Sequence, residues 1–186
     1  FSEERRNNGE IQGLKKGCFI MNFIYSHGGY AREIHRCASE QYPNETFVFV
    51  DDSPGEMAIS YDEALRISQA QASCFLIAFS DPVLRKMKTE QLLSDGQSLF
   101  SVRASTAIIG DNVILGQGSA ISDFAIVTAD AKIGQGFHCN IYSYVAHDCV
   151  VGDFVTLAPR VAINGRVKIG DGVYIGTGAT ILPEIG

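Results

Sequence analysis

The chain has 186 residues, with 15 Lys and Arg against 21 Asp and Glu and a formal net charge of −6. An acidic chain without a basic cluster is poorly suited to nucleic acid or to an anionic membrane surface. No apolar run approaches the length of a membrane span, and no secretory signal is visible, so a protein of the cytoplasm is expected.

Residues 1–20 are polar and without periodicity, and they are expected to lie outside the fold. Met21–Tyr25 is apolar and reads as a strand. A turn follows at Ser26-His27-Gly28-Gly29-Tyr30, then helical spacing over Ala31–Glu40. Thr46–Val50 is a second strand ending in Asp51-Asp52, and Tyr61–Ala72 is a helix. Cys74–Phe79 is a third strand, Asp81–Leu93 a helix capped by Ser80 or Asp81, and Gln97–Val102 a last strand. Strands alternating with helices predict a small α/β unit over residues 21–102 with a parallel, Rossmann-like sheet.

A ligand of such a sheet sits at the carboxyl ends of its strands. Three segments are expected to meet there, offering His27, Gly28 and Gly29, the pair Asp51 and Asp52, and Ser80. A glycine pair ahead of a helix lets backbone approach a diphosphate, and the helix N-terminus favours its charge. A carboxylate after the second strand suits a ribose hydroxyl or a base N–H. The turn lacks the complete GxGxxG spacing, so alone it reads equally well as a tight strand–helix connection.

From Ile109 onward an aliphatic residue or a Cys recurs every six residues without a slip, through Val127, Cys139, Val145, Ile163 and Ile175 to Ile181. Period six does not match the turn of a helix. It signals stacked units that bury a shared core. Three sides of six residues close one triangular coil, and parallel pairing at about 4.8 Å stacks the coils. The opening residue points inward, and the small residue after it is expected to let the chain turn at the corner. Residues 103–186 are therefore a β-helix.

Cys18, Cys37, Cys74, Cys139 and Cys149 are scattered and odd in number, as for free thiols in a reducing compartment. Cys139 and Cys149 fall at inward positions, where a thiol acts as a small hydrophobe. The stretch Phe137–Cys149 departs from plain repeat chemistry: His147 stands at a corner with Asp148 beside it. A carboxylate fixes the tautomer of an imidazole and raises its basicity, which suits a general base. Gly165, one coil of 18 residues beyond His147, is the expected backbone donor beneath the same corner.

The segments YSHGGYAREI, HDCVVGDFVTLAP (after an N-x-Y segment) and IGDGVYIGTGATI resemble the hexapeptide-repeat nucleotide-sugar acetyltransferases. These include the bacillosamine- and perosamine-type 4-amino-sugar N-acetyltransferases and the sialic acid O-acetyltransferase-like proteins. The resemblance implies a left-handed coil, a homotrimer, acetyl-CoA in the groove between prisms and no metal. It implies His147 as base, Asp148 as its partner, and Asn140, Gly165, Gly176 and Thr177 along the cofactor. The acceptor would be the 4-amino group of a nucleotide-linked deoxy sugar from surface-glycan biosynthesis. Ser26-His27 stands where the family has Gly-Ala, and a terminal coil of the family is expected to be missing after Gly186. Two further readings share the prism: a sugar O-acetyltransferase and a non-catalytic nucleotide-sugar-binding or assembly module. A zinc lyase would need three converging His, and the repeat holds only His138 and His147.

Overall fold

The structure is a computed structural model and describes residues 20–183; the reading of residues 1–20 as an extension falls outside these apart from Ile20. Strand β1 (Ile20–Tyr25), helix α1 (Gly29–Gln41), β2 (Glu45–Val50), β3 (Ala58–Ile59), α2 (Tyr61–Ala70), β4 (Phe75–Ile77) and α3 (Pro82–Ser94) follow in order. The strands form one parallel sheet in the order β3-β2-β1-β4. Apolar β1 and β4 are covered on both faces, as parallel strands require. Ile24 and Leu76 face Ala31, Ile34, Cys37 and Ala38 of α1, while Phe23, Phe75 and Ile77 face Tyr61, Ala64 and Leu92. Asp81, not Ser80, caps α3 by accepting from Leu84 N at 2.8 Å.

The expected last strand, Gln97–Val102, does not form. Leu99 makes a single bridge to Phe75, and the chain then leaves the sheet. Val102–Arg103 is instead the first strand of the prism, paired with Ala120–Ile121. Its β-branched, apolar composition served the second structure and not the first.

Beyond Val102 every strand has two residues, and each up to Ala162–Ile163 pairs in parallel with the strand 18 residues on, as Val102 with Ala120, His138 with Thr156 and Tyr144 with Ala162. Three sheets result, one per face of the prism. The residue opening each hexad points inward: Ile121, Val127, Cys139, Val145, Leu157 and Ile163 have no exposed surface. Cys149 joins them in the core.

The corner works differently from expectation. The residue with positive φ is the fourth of the hexad, at Asn112, Gly118, Phe124, Asp130, Gly136, Tyr142, Asp148, Phe154, Arg160, Arg166, Gly172 and Gly178. Bulky residues rarely adopt this region, which costs roughly 1–2 kcal/mol each without glycine. The small second residue answers to crowding between coils: a Cβ on Gly110 would lie 3.0 Å from the backbone of Thr128.

The three faces differ in what they present. On the first, outward Val102, Ala120, His138 and Thr156 are buried beneath α1 and α3, while Tyr174 of the last coil is exposed. The second carries Ile108, Ile126, Tyr144, Ala162 and Thr180, and the third Ile114, Lys132, Val150 and Lys168. Among the described residues no helix is long and apolar enough to cross a membrane.

Candidate active site

His147 and Asp148 occupy the third and fourth places of their hexad, at the corner after the strand Tyr144–Val145. The left-handed backbone of Asp148, φ 58°, turns its carboxylate back onto the preceding ring. Oδ2 lies 2.7 Å from His147 Nδ1, and both side chains are about half exposed. With Nδ1–H donated to the carboxylate, the lone pair is on Nε2. Gly165 lies under the ring in the next coil: a Cβ there would meet Nε2 and Cε1 at 2.6 Å. The coils are tied at this point by Arg166 N–H donating to His147 O at 2.9 Å.

Asn140, Gly176 and Thr177 stand elsewhere. They belong to the preceding corner of the prism, across the second face from His147, with Asn140 two residues before the left-handed Tyr142. Asn140 Oδ1 accepts its neighbour's Ile141 N–H at 2.7 Å, and Gly176 and Thr177 are exposed. Within one chain, then, the fold brings His147, Asp148 and Gly165 together and holds Asn140, Gly176 and Thr177 apart from them.

At the sheet, His27 Nδ1 lies 2.8 Å from Asp51 Oδ2, and Asp51 Oδ1 accepts Ser53 N–H at 3.0 Å. Asp52 accepts from the Tyr25 hydroxyl and from Lys88 Nζ, the latter at 2.8 Å. Partial burial would raise the Asp52 carboxyl, but the bonds from Lys88 and Tyr25 outweigh it and hold the group below its ordinary range. A cavity of about 270 Å³ opens beside this pair, lined by Tyr25, Asp51, Asp52, Tyr61 and Gln91. Gly28 and Gly29 are exposed at the start of α1, whose N-cap has no side-chain partner. Ser26, at the family's glycine place, has φ 108°, and its Oγ accepts Gly28 N–H at 3.2 Å. Ser80 is exposed just after β4, and its carbonyl accepts from Arg85 and from Thr156 Oγ1 of the prism.

Residues 148–183 match the family model described as bacterial transferase hexapeptide (six repeats). The chain is 34% identical over 173 residues to the GDP-perosamine N-acetyltransferase of Escherichia coli O157:H7, covering 85% of this chain and 76% of that one. It belongs to the hexapeptide-repeat nucleotide-sugar acetyltransferases. Among solved structures, WeeI from Acinetobacter baumannii AYE is 36% identical with a TM-score of 0.81, covering 89% of this chain and 81% of that one. The acetyltransferase domain of PglB from Neisseria gonorrhoeae FA1090, in complex with acetyl coenzyme A, shares the fold at 22% identity and a TM-score of 0.74, over 89% and 92%. The repeat match and the stacked parallel strands fit the left-handed β-helix of these acetyltransferases.

Two functional supports in this acetyltransferase escaped the sequence. Arg85 is wholly buried and donates to the carbonyls of Gly136 and Phe154 at 2.8 Å, of Phe79 at 2.6 Å, and to Thr156 Oγ1 at 2.9 Å. It fastens α3 and the segment after β4 to two coils of the prism, and burial pushes its guanidinium down to about 10. An Arg in a helix ordinarily reads as a solvated charge, so composition gave no sign of it. His138 is buried against Tyr30, ring centroids 5.1 Å apart, and burial holds its imidazole well below the usual range. It lies under α1 while His147 stands at an open corner, so the two prism histidines do not converge as zinc ligands would.

Proposed function

We propose that this acetyltransferase carries the acetyl group of acetyl-CoA directly to the 4-amino group of a nucleotide-linked amino-deoxy sugar. The observation that carries the reading is the His147–Asp148 dyad held over Gly165. His147 Nε2 takes a proton from the attacking amine as nitrogen bonds to the thioester carbonyl carbon. Asp148 stabilises the imidazolium that forms. Gly165 N–H meets the oxyanion, a contact worth roughly 3–4 kcal/mol when well placed. The intermediate then collapses to the amide, the C–S bond breaks, and the proton on Nε2 passes to the departing thiolate.

The nucleotide is assigned to the sheet, read as Rossmann-like. The chain passes from β1 to β2 on one side and reaches β4 on the other, and ligands of parallel sheets bind at such a switch. Gly28 and Gly29 would receive the diphosphate and Asp51 or Asp52 a ribose or base donor, with His27 orienting Asp51. Ser80 is left with a supporting role.

The oligomer is assigned as a trimer packed through the second face, the apolar column of Ile108, Ile126, Tyr144 and Ala162. A threefold axis along that face sets the His147 corner of one subunit against the Asn140 corner of the next. Asn140, Gly176 and Thr177 would then reach the cofactor from the neighbouring chain, which explains their separation within one chain.

The test is incubation with acetyl-CoA and UDP-, GDP- or dTDP-linked 4-amino-4,6-dideoxy sugars, followed by mass analysis of the product before and after hydroxylamine. An added acetyl group that survives hydroxylamine is the amide expected here. One removed by hydroxylamine is an ester and assigns a hydroxyl acceptor instead.

A further inference from the structure

Cys149 is the fifth residue of the hexad that carries His147, on the inner side of the same corner, and it has no exposed surface. Its Sγ donates to the carbonyl oxygen of Asn164 in the next coil at 3.0 Å. Burial pushes the thiol up, so it stays protonated and able to donate. The oxygen it reaches belongs to the peptide that joins Asn164 to Gly165. This peptide is trans, and in a trans peptide the carbonyl and the N–H point in opposite directions. An oxygen turned inward to Cys149 therefore sends the Gly165 N–H outward, to the side of His147.

Another corner of the prism shows what an N–H in that place can hold. Gly165 is the third residue of its hexad, as are Gln135 and Asp153 of theirs. Gln135 N–H donates to Asp153 Oδ1 at 2.9 Å, and Asp153 N–H to Asp171 Oδ1 at 2.8 Å, each time a carboxylate oxygen from one coil further on. One coil beyond Gly165 stands Pro183, which has no side-chain acceptor. Among the described residues the Gly165 N–H has no partner. Ser143 makes the bond that matches the one from Cys149, to Ala158 O at 2.8 Å, but Pro159 follows and leaves that peptide no N–H to aim.

The neighbouring N–H groups are fixed, Asn164 to Ile181 O and Arg166 to His147 O. The peptide between them can still turn about its flanking bonds, and glycine tolerates many backbone angles. A Cβ at position 165 would strike the His147 ring, so no side chain there can stiffen the peptide. A bond to the carbonyl opposes that freedom. It also polarises the peptide and strengthens its N–H as a donor.

Resting on the acetyltransferase reading above, we infer that Cys149 is a positioning residue whose thiol holds the Asn164–Gly165 peptide with the Gly165 N–H turned to the oxyanion. It touches neither substrate nor cofactor, and it acts on the reaction through that one peptide.

The experiment compares Cys149→Ala, Cys149→Val and Cys149→Ser by steady-state kinetics with acetyl-CoA and the accepted sugar. Ala and Ser leave nearly the same space and differ in the donor. Val fills the core without a donor, as Val155, Val161 and Val167 do at the same place of their hexads. Loss of a whole oxyanion donor costs about 100-fold or more, and a misdirected one less. Both donor-free variants are therefore expected to lose about tenfold in kcat, with little change in the KM for acetyl-CoA. Cys149→Ser is expected to recover kcat to within about threefold of wild type. A part in packing alone would rank Ser with Ala and show in thermal unfolding, not in kcat. Wild-type kcat in either donor-free variant, a loss confined to KM, or Ser as slow as Ala would overturn the inference while acetyl transfer by the wild type still stands. No release of coenzyme A from the wild type with any of the sugars would overturn the acetyltransferase reading, and the role of Cys149 with it.

Discussion

The imidazole of His147 lies directly on the backbone of Gly165, so that a methyl group at position 165 would stand 2.6 Å from its Nε2 and Cε1. Position 165 therefore has to lack a side chain for the ring to keep its place, whatever the backbone conformation there. Gly165→Ala is expected to lower kcat/KM about 100-fold, since an ångström of misplacement at a reacting group costs that much. Its thermal unfolding should stay within a few degrees of wild type, because the ring is half exposed and free to swing away. A large loss of stability would show that Gly165 serves the coil and not the dyad.

In the proposed mechanism Asp148 acts on the reaction only through His147. Asp148→Asn keeps the size of the side chain and removes the charge that stabilises the imidazolium. A fall in kcat of about 10–100-fold with little change in the KM for acetyl-CoA is expected from steady-state kinetics. A change confined to KM would assign Asp148 to binding.

How far the chain could be read from its letters depended on what each letter answered to. The hexad openers were legible because burial follows directly from the period, and every one of them from Ile121 to Ile163 lies in the core. The dyad was legible because neighbours in sequence at a corner are neighbours in space. Arg85 and His138 were not, since their burial comes from the α/β layer settling on one face of the prism. The outward column Val102, Ala120, His138 and Thr156 does lack charge, unlike the column holding Lys132 and Lys168, and that contrast was the available signal. The left-handed fourth position was also hidden, because Phe124, Tyr142, Phe154 and Arg166 fill it as often as glycine does.

Buried His138 makes the fold sensitive to acid. Burial lowers its folded-state pKa well below the ordinary value near 6.5. The unfolded chain therefore binds a proton that the folded chain refuses, and stability present above about pH 6.5 is lost as pH falls, by up to about 1.4 kcal/mol per pH unit. His138→Phe removes this term. Denaturant titrations between pH 7 and 5 should show a shallower decline for the variant; equal slopes would contradict the assignment.

Arg85 joins the α/β layer to the prism through main-chain carbonyls. Arg85→Met leaves those buried acceptors without donors and is expected to cost about 2–4 kcal/mol. Chemical denaturation followed by far-ultraviolet dichroism measures it. A cost within 0.5 kcal/mol, the usual range for exposed substitutions, would mean that water replaces the guanidinium.

The proposed trimer requires the second prism face. Ile126→Glu sets a charge in the middle of its apolar column and should yield monomers in sedimentation, with activity lost because His147 and Asn140 no longer meet. Ile114→Glu on the third face should leave both assembly and activity unchanged. Monomers in the wild type, or an intact trimer in Ile126→Glu, would contradict this packing.

The central claim is tested most directly by release of free coenzyme A from acetyl-CoA in the presence of UDP-, GDP- and dTDP-linked 4-amino-4,6-dideoxy sugars, with His147→Ala assayed alongside. Release with one of these sugars is expected, falling about 100-fold or more in the variant. Release that persists unchanged in His147→Ala, or none with any sugar from a folded protein, would contradict the account.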